Sequence, residues 1–144
     1  MQLFVESRCS CYNQYPVVLQ YNILGSGIVC SNCNLLRYVK FPVALMKKIS
    51  DWNVLYAKVY KKWLDEDKGY KEIFDVYSIV NRLGLEIVNE MGVFKKTYYW
   101  WHVDTMEKKE RCPVCNKKLI SLKNDYSTSH KVCKECLVLV NDVE

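Results

Sequence analysis

The eight cysteines of this 144-residue chain fall into two groups of four, Cys9, Cys11, Cys30, Cys33 and Cys112, Cys115, Cys133, Cys136, separated by a long cysteine-free stretch. The second group is spaced C-x2-C-x17-C-x2-C. That pattern suits one tetrahedral ion, because each C-x2-C turn aims two thiolates at a single point. The first group is C-x-C-x18-C-x2-C; its one-residue spacing makes a poorer knuckle, yet it still reads as a second four-thiolate site. The expectation is two structural Zn2+ ions, one near each end, held by all eight cysteines. Free or redox-active thiols are the alternative. Spacing alone also leaves open an interleaved pairing in which Cys9 and Cys11 join a C-terminal knuckle.

Compartment favours metal over disulfides. The opening MQLFVESRC lacks a basic segment followed by an apolar run and a small-residue cleavage site, so a reducing cytoplasm is expected, where thiols stay free for zinc. No stretch approaches the roughly 18 to 20 apolar residues of a membrane span. A metal also answers a size problem. A lobe of about 25 residues cannot bury enough apolar surface to offset its ordering entropy, whereas a bound zinc contributes roughly 10 kcal/mol or more to folding. The chain is therefore expected to be an α+β protein, with a central helical segment and short β-strands forming a zinc-ribbon-like lobe at each end. The boundaries read as 1–41 for the first lobe, 42–93 for the helices and 94–144 for an aromatic strand with the second ribbon, together one compact unit.

The formal charge of +5 invites a nucleic-acid reading. Metallation removes most of it, because four thiolates around a divalent ion leave each site with two net negative charges. What remains is a distribution in which the two ribbons are basic and the middle is mildly acidic.

Periodicity predicts the elements. Gln2–Val5, Val17–Ile23, Ile28–Val29 and Leu35–Phe41 read as strands, with a turn at Gly25-Ser26-Gly27. Pro42 suits the first turn of a short helix ending near Lys48. A longer helix over 51–67 is capped by Ser50 or Asp51, with Trp52, Leu55, Tyr56, Val59 and Trp63 as its apolar stripe. Lys58, Lys61 and Lys62 read as its solvated border. After a short helical or irregular piece over 70–77, Ser78 caps another helix, whose stripe is Val80, Leu83, Ile87, Val88 and Met91 and whose stop is Gly92. Phe94–Val103, rich in aromatic and β-branched residues, reads as strand.

The order of Cys30-Ser31-Asn32-Cys33, Leu35–Pro42, the Tyr60–Leu64 helix end, Gly84–Gly92 running into Tyr98-Tyr99, Arg111-Cys112-Pro113-x-Cys115 and Cys133-x2-Cys136-Leu137-Val138 carries a resemblance. It resembles an uncharacterised bacterial zinc-ribbon-containing family described in terms of nucleic-acid binding, over most of the chain after about residue 28. The chain departs from that pattern at Leu119 and Leu137, where tryptophan and arginine are usual. The resemblance implies a zinc fold without assigned catalysis. Short stand-alone relatives of this kind also resemble immunity proteins encoded beside polymorphic toxins.

An enzyme has little to work with here. The two histidines are His102 and His130; His102 reads as a structural or solvated strand residue, and His130 as a spare imidazole beside a complete cysteine set. A zinc closed by four thiolates has no open position for catalysis. Binding is therefore the expected role. For nucleic acid, Lys117, Lys118 and Lys131 in a basic cluster would meet phosphates while Tyr98, Tyr99, Trp100 and Trp101 stack on bases. For a protein partner, the same aromatic surplus is the composition of interface hot spots. The favoured expectation is a non-enzymatic, zinc-stabilised immunity-type inhibitor that binds a cognate toxin protein; a nucleic-acid-binding zinc ribbon is the alternative.

Overall fold

The computed structural model describes residues 9–11, 15–22, 27–66, 70–103, 110–122 and 130–141. In chain order the elements are β1 (Val17–Leu19), β2 (Ile28–Cys30), α1 (Val43–Glu66), α2 (Tyr70–Phe74), α3 (Ile79–Met91), β3 (Thr97–Trp101), β4 (Ile120–Leu122), β5 (His130–Cys133) and β6 (Val138–Asn141). The fold is α+β, and strands from both ends of the chain join one six-stranded sheet of order β2-β1-β3-β6-β5-β4. β3 runs parallel to β1 on one edge and to β6 on the other; the remaining pairs are antiparallel.

Alternation along the strands splits the core. Val17, Leu19, Tyr99, Trp101, Val138 and Val140 pack with the buried helix residues. Val18, Val29, Tyr98, Val132 and Leu139 form a second cluster, joined by half-buried Leu36, Trp100 and Leu122. A parallel centre demands cover on both faces, and the aromatic strand β3 supplies rings to both.

α1 is one helix of 24 residues, which corrects the expected break near Lys48. Leu45 and Ile49 extend the stripe of Trp52, Tyr56 and Val59 back to the first turn, and all five are buried. Ser50 and Asp51 lie inside the helix, and Asp51 pairs with Lys47 at 2.8 Å instead of capping. The Pro42 carbonyl accepts from the Met46 N–H, so Pro42 sits just before the first helical residue. Trp63 and Leu55 are half-buried, while Lys58, Lys61 and Lys62 are exposed as expected.

The expected strand over 35–41 reduces to a bridge between Val29 and Leu36. Leu35 and Arg37 bond Cys30 and Ile28 on one side, and Leu36 bonds Cys9 on the other. Beyond Arg37 the described residues offer no ladder partner, and Tyr38 is exposed. The first predicted strand (2–5), and Ile23, Gly25 and Ser26, lie outside the described residues. Gly27, at φ +68°, adopts the left-handed conformation that glycine tolerates best.

Ser78 caps α3 as predicted, its hydroxyl accepting from the Asn81 N–H. The helix ends at Gly92, in ordinary right-handed conformation. Leu83 faces solvent, contrary to the expected stripe, and its neighbour Gly84 is buried in its place. The reason is Tyr99, whose ring occupies the space a side chain at 84 would need. Tyr99 donates its hydroxyl to Asn81 Oδ1 at 2.7 Å. Asn81 Nδ2 in turn donates to the carbonyls of Ile73 and Asp75, each at 2.9 Å. This buried amide ties α2, α3 and β3 together.

Gly84→Ala should destabilise the protein by about 1–3 kcal/mol through overpacking against Tyr99, despite alanine's better helix propensity. Gly92→Ala, which meets only carbonyl oxygens at 3.4 Å, should change stability little. Thermal unfolding of the two variants checks this; equal shifts would mean that Tyr99 does not lie against position 84.

Candidate metal centres

Both cysteine groups converge. Cys9, Cys11, Cys30 and Cys33 form one cluster and Cys112, Cys115, Cys133 and Cys136 another, with the sulfurs of each set within 4.8 Å of one another. Tetrahedral zinc with Zn–S bonds of about 2.3 Å requires sulfurs about 3.8 Å apart, and Cys115 and Cys133 lie 3.6 Å apart. Each group can hold one zinc ion. The interleaved pairing is excluded, because the clusters are separate.

Local backbone explains the convergence. Cys30 ends β2 and Cys133 ends β5, so each strand delivers its sulfur to the mouth of a turn. In all three C-x2-C knuckles the residue after the second cysteine has positive φ: Asn34 (59°), Asn116 (65°) and Leu137 (59°). In each, that residue's N–H donates to the carbonyl of the first cysteine, at 2.8–2.9 Å. Each also aims a backbone N–H at the first cysteine or its counterpart: Asn32 N at Cys30 Sγ, Val114 N at Cys112 Sγ and Cys136 N at Cys133 Sγ. Two of the three left-handed positions carry asparagine, the residue that best tolerates this conformation after glycine. That was a readable sequence signal which cysteine spacing overshadowed.

Cys9-x-Cys11 is built differently. Cys11 N–H donates to Cys9 Sγ at 3.3 Å, and two side chains supplement it. The Arg37 guanidinium donates to Cys9 Sγ and to the Cys11 carbonyl, and the Asn32 amide donates to Cys11 Sγ, each at 3.3 Å. A cation beside a doubly negative four-thiolate site offsets its charge and orients its ligands. Neither Arg37 nor Asn32 was singled out in the sequence, because both act from the far side of the chain loop.

In the absence of a cation three of these sulfurs resist ionisation. Burial pushes the Cys33 thiol up to about 12, with Cys9 and Cys11 adding to the rise. Burial likewise raises Cys112 and Cys136. Cys115 is lowered, chiefly by the Lys117 backbone N–H. Cys33, Cys112 and Cys136 therefore need a metal to exist as thiolates at neutral pH.

The other candidate site residues do not gather. Tyr98, Tyr99 and Trp101 are buried and Trp100 is half-buried, so three of the four rings expected at a partner surface belong to the core. Lys118 is exposed, Lys131 is half-buried, and Lys117 donates to both Glu135 oxygens at 2.8 and 2.7 Å. His130 is buried against Trp100. His102 is half-buried, its Nδ1 2.9 Å from the Tyr56 hydroxyl.

No family model matches the chain, and no curated protein or solved structure is significantly similar to it. The resemblance drawn from residue order thus has no family match behind it. Among the described residues no helix is long and apolar enough to cross a membrane.

Metal analysis of protein purified under reducing conditions should find close to two zinc ions per chain, and Cys133→Ser or Cys30→Ser should each remove one. Arg37→Ala should weaken the first site alone, by about 10- to 100-fold. Chelator competition on the separate single-site variants measures this, and equal weakening of both sites would remove Arg37 from the first.

Proposed function

We propose that this chain is a non-enzymatic, zinc-stabilised binding protein whose partner is another protein. The supporting observation is a groove of about 360 Å³ between α1 and α3, floored by Trp52, Leu55, Leu83 and Ile87 and rimmed by Lys48, Asp51, Glu86 and Glu90. Its two walls are joined: Trp52 Nε1 donates to the Val80 carbonyl at 3.0 Å, and Lys48 bridges to Glu90 at 2.7 Å. Val54 of α1 and Ile79 of α3 are further exposed apolar side chains on the same two helices. An apolar floor with a mostly acidic rim suits a basic amphipathic segment, in the helix-in-groove manner. An immunity-type inhibitor of a toxin enzyme is the concrete form, and it draws on the sequence resemblance. Burial of β3 takes away the stacking surface on which the nucleic-acid alternative relied.

Two supports bear on the absence of catalysis. Four thiolates close each metal site, leaving no coordination position for substrate. The half-buried His102 imidazole is engaged through Nδ1 by Tyr56.

The test is co-expression with the product of the neighbouring gene. The expected outcome is a stable complex that protects cells and that Leu83→Arg and Glu86→Lys each weaken by at least about tenfold, an ordinary loss for an interface anchor, with thermal unfolding unchanged. Steeply salt-dependent binding to RNA or DNA, with no protein complex and no protection, would overturn the reading.

A further inference from the structure

The other side of α1 carries a second concavity of a different kind. At about 100° per residue, Ala57, Tyr60, Lys61 and Leu64 face away from the groove residues Lys48, Asp51, Trp52 and Leu55, with the buried stripe between the two sets. Together with Gln20, Tyr21 and His102, those four residues line a cavity of about 670 Å³, within the roughly 300–1,000 Å³ of small-molecule sites.

Its walls are aromatic and held in place. Tyr21 stacks on Tyr56 with centroids 5.3 Å apart and touches Tyr60 at 5.5 Å. Tyr60 contacts His102 at 6.2 Å and is braced behind by Trp63 at 5.4 Å. The polar groups are few and convergent. Gln20 Oε1 is buried without a hydrogen-bond partner, which is costly unless a ligand or water satisfies it. Burial lowers the His102 pKa, so the ring is neutral at pH 7. Burial also keeps the Tyr56 hydroxyl protonated. The Tyr56 hydroxyl and Nδ1 lie 2.9 Å apart; in the tautomer where Tyr56 donates, the imidazole carries its proton on Nε2. A buried, unpartnered amide oxygen and an imidazole thus lie beside the half-buried rings of Tyr21 and Tyr60, and the exposed cation Lys61 lies at the rim, where no described residue bonds it.

We infer that this cavity binds an anionic planar heteroaromatic of nucleotide size, its ring stacked on Tyr60 and Tyr21, its polar edge met by Gln20 and His102, and its phosphate met by Lys61. Each feature selects against a simpler occupant. A purely apolar ligand would leave Gln20 unsatisfied, and a cationic one would be repelled by Lys61. The site is independent of the α1–α3 groove and of the protein partner proposed for it. The ligand's source is a free nucleotide or an unpaired nucleotide of a single strand, since the recognised chemistry is the same.

Zinc-loaded full-length protein should be titrated calorimetrically with AMP, UMP, adenosine and a short single-stranded oligonucleotide. AMP or UMP should bind, and Lys61→Glu should weaken that binding by about tenfold or more, as loss of a charge-assisted contact does, while leaving adenosine nearly unaffected. Tyr60→Leu should weaken nucleotide and nucleoside alike, by about 5- to 100-fold for a stacked base. Lys61 is exposed, so its variant folds normally and keeps the test meaningful if Tyr60→Leu does not. Mononucleotide binding equal to or tighter than the oligonucleotide identifies a free ligand; a tighter oligonucleotide identifies a strand. Leu83→Arg should leave all of this binding intact, separating it from the groove. No binding of any of the four at millimolar concentration, or binding indifferent to Lys61→Glu, would overturn the inference.

Discussion

β3 has a neighbour on each edge and buried side chains on both faces, and the remaining structure is arranged around that demand. Its parallel partners come from opposite ends of the chain, β1 before the helices and β6 near the C-terminus. A parallel pair cannot be closed by a tight turn, so each connection must be a long crossover. The first crossover contains the three helices and the second contains the C-terminal cysteine cluster with β4 and β5. Tyr99 then locks the helical layer down through two contacts: its ring fills the space left by Gly84, and its hydroxyl satisfies Asn81.

The metal sites sit where the sheet runs out of length. β1, β2 and β4 have three residues each and β5 and β6 four, too short to be stable without tertiary cover. Cys30 and Cys133 each end a strand, so a bound ion would pin the strand's last residue to its turn. The two centres differ in how they meet their charge. Among the described residues the C-terminal thiolates receive backbone N–H donors, whereas the first site adds the Arg37 guanidinium and the Asn32 amide. Those side chains compensate for a one-residue knuckle that offers fewer backbone donors.

α1 separates two surfaces of unlike chemistry. Its buried stripe leaves an apolar, acid-rimmed groove on the α3 side and an aromatic, imidazole-bearing cavity on the side of Tyr21 and His102. The first suits a folded partner segment and the second a small planar anion. Neither uses the rings of the Tyr98–Trp101 run, three of which are buried in the core.

The cysteine spacing by itself determined that C-x2-C knuckles would present paired thiols to a metal, because each knuckle is a local backbone turn; which knuckles share a site was decided by the tertiary structure, which gathers Cys9 and Cys11 with Cys30 and Cys33. Local chemistry likewise determined the Ser78 cap, the aromatic strand and most of the α1 stripe. Only the tertiary structure decided that α1 runs unbroken from Val43, since Ser50 and Asp51 carry the same cap signal whether or not Leu45 and Ile49 continue the buried face. It also decided that Leu83 turns outward and Gly84 inward, which depends on where a ring 15 residues later in the chain comes to rest. The sheet order, the role of Arg37 and the meeting of Gln20, Tyr60 and His102 were equally invisible in the chain. Each depends on contacts between segments distant in sequence, and periodicity reports only which face of an element is buried, never what lies against it.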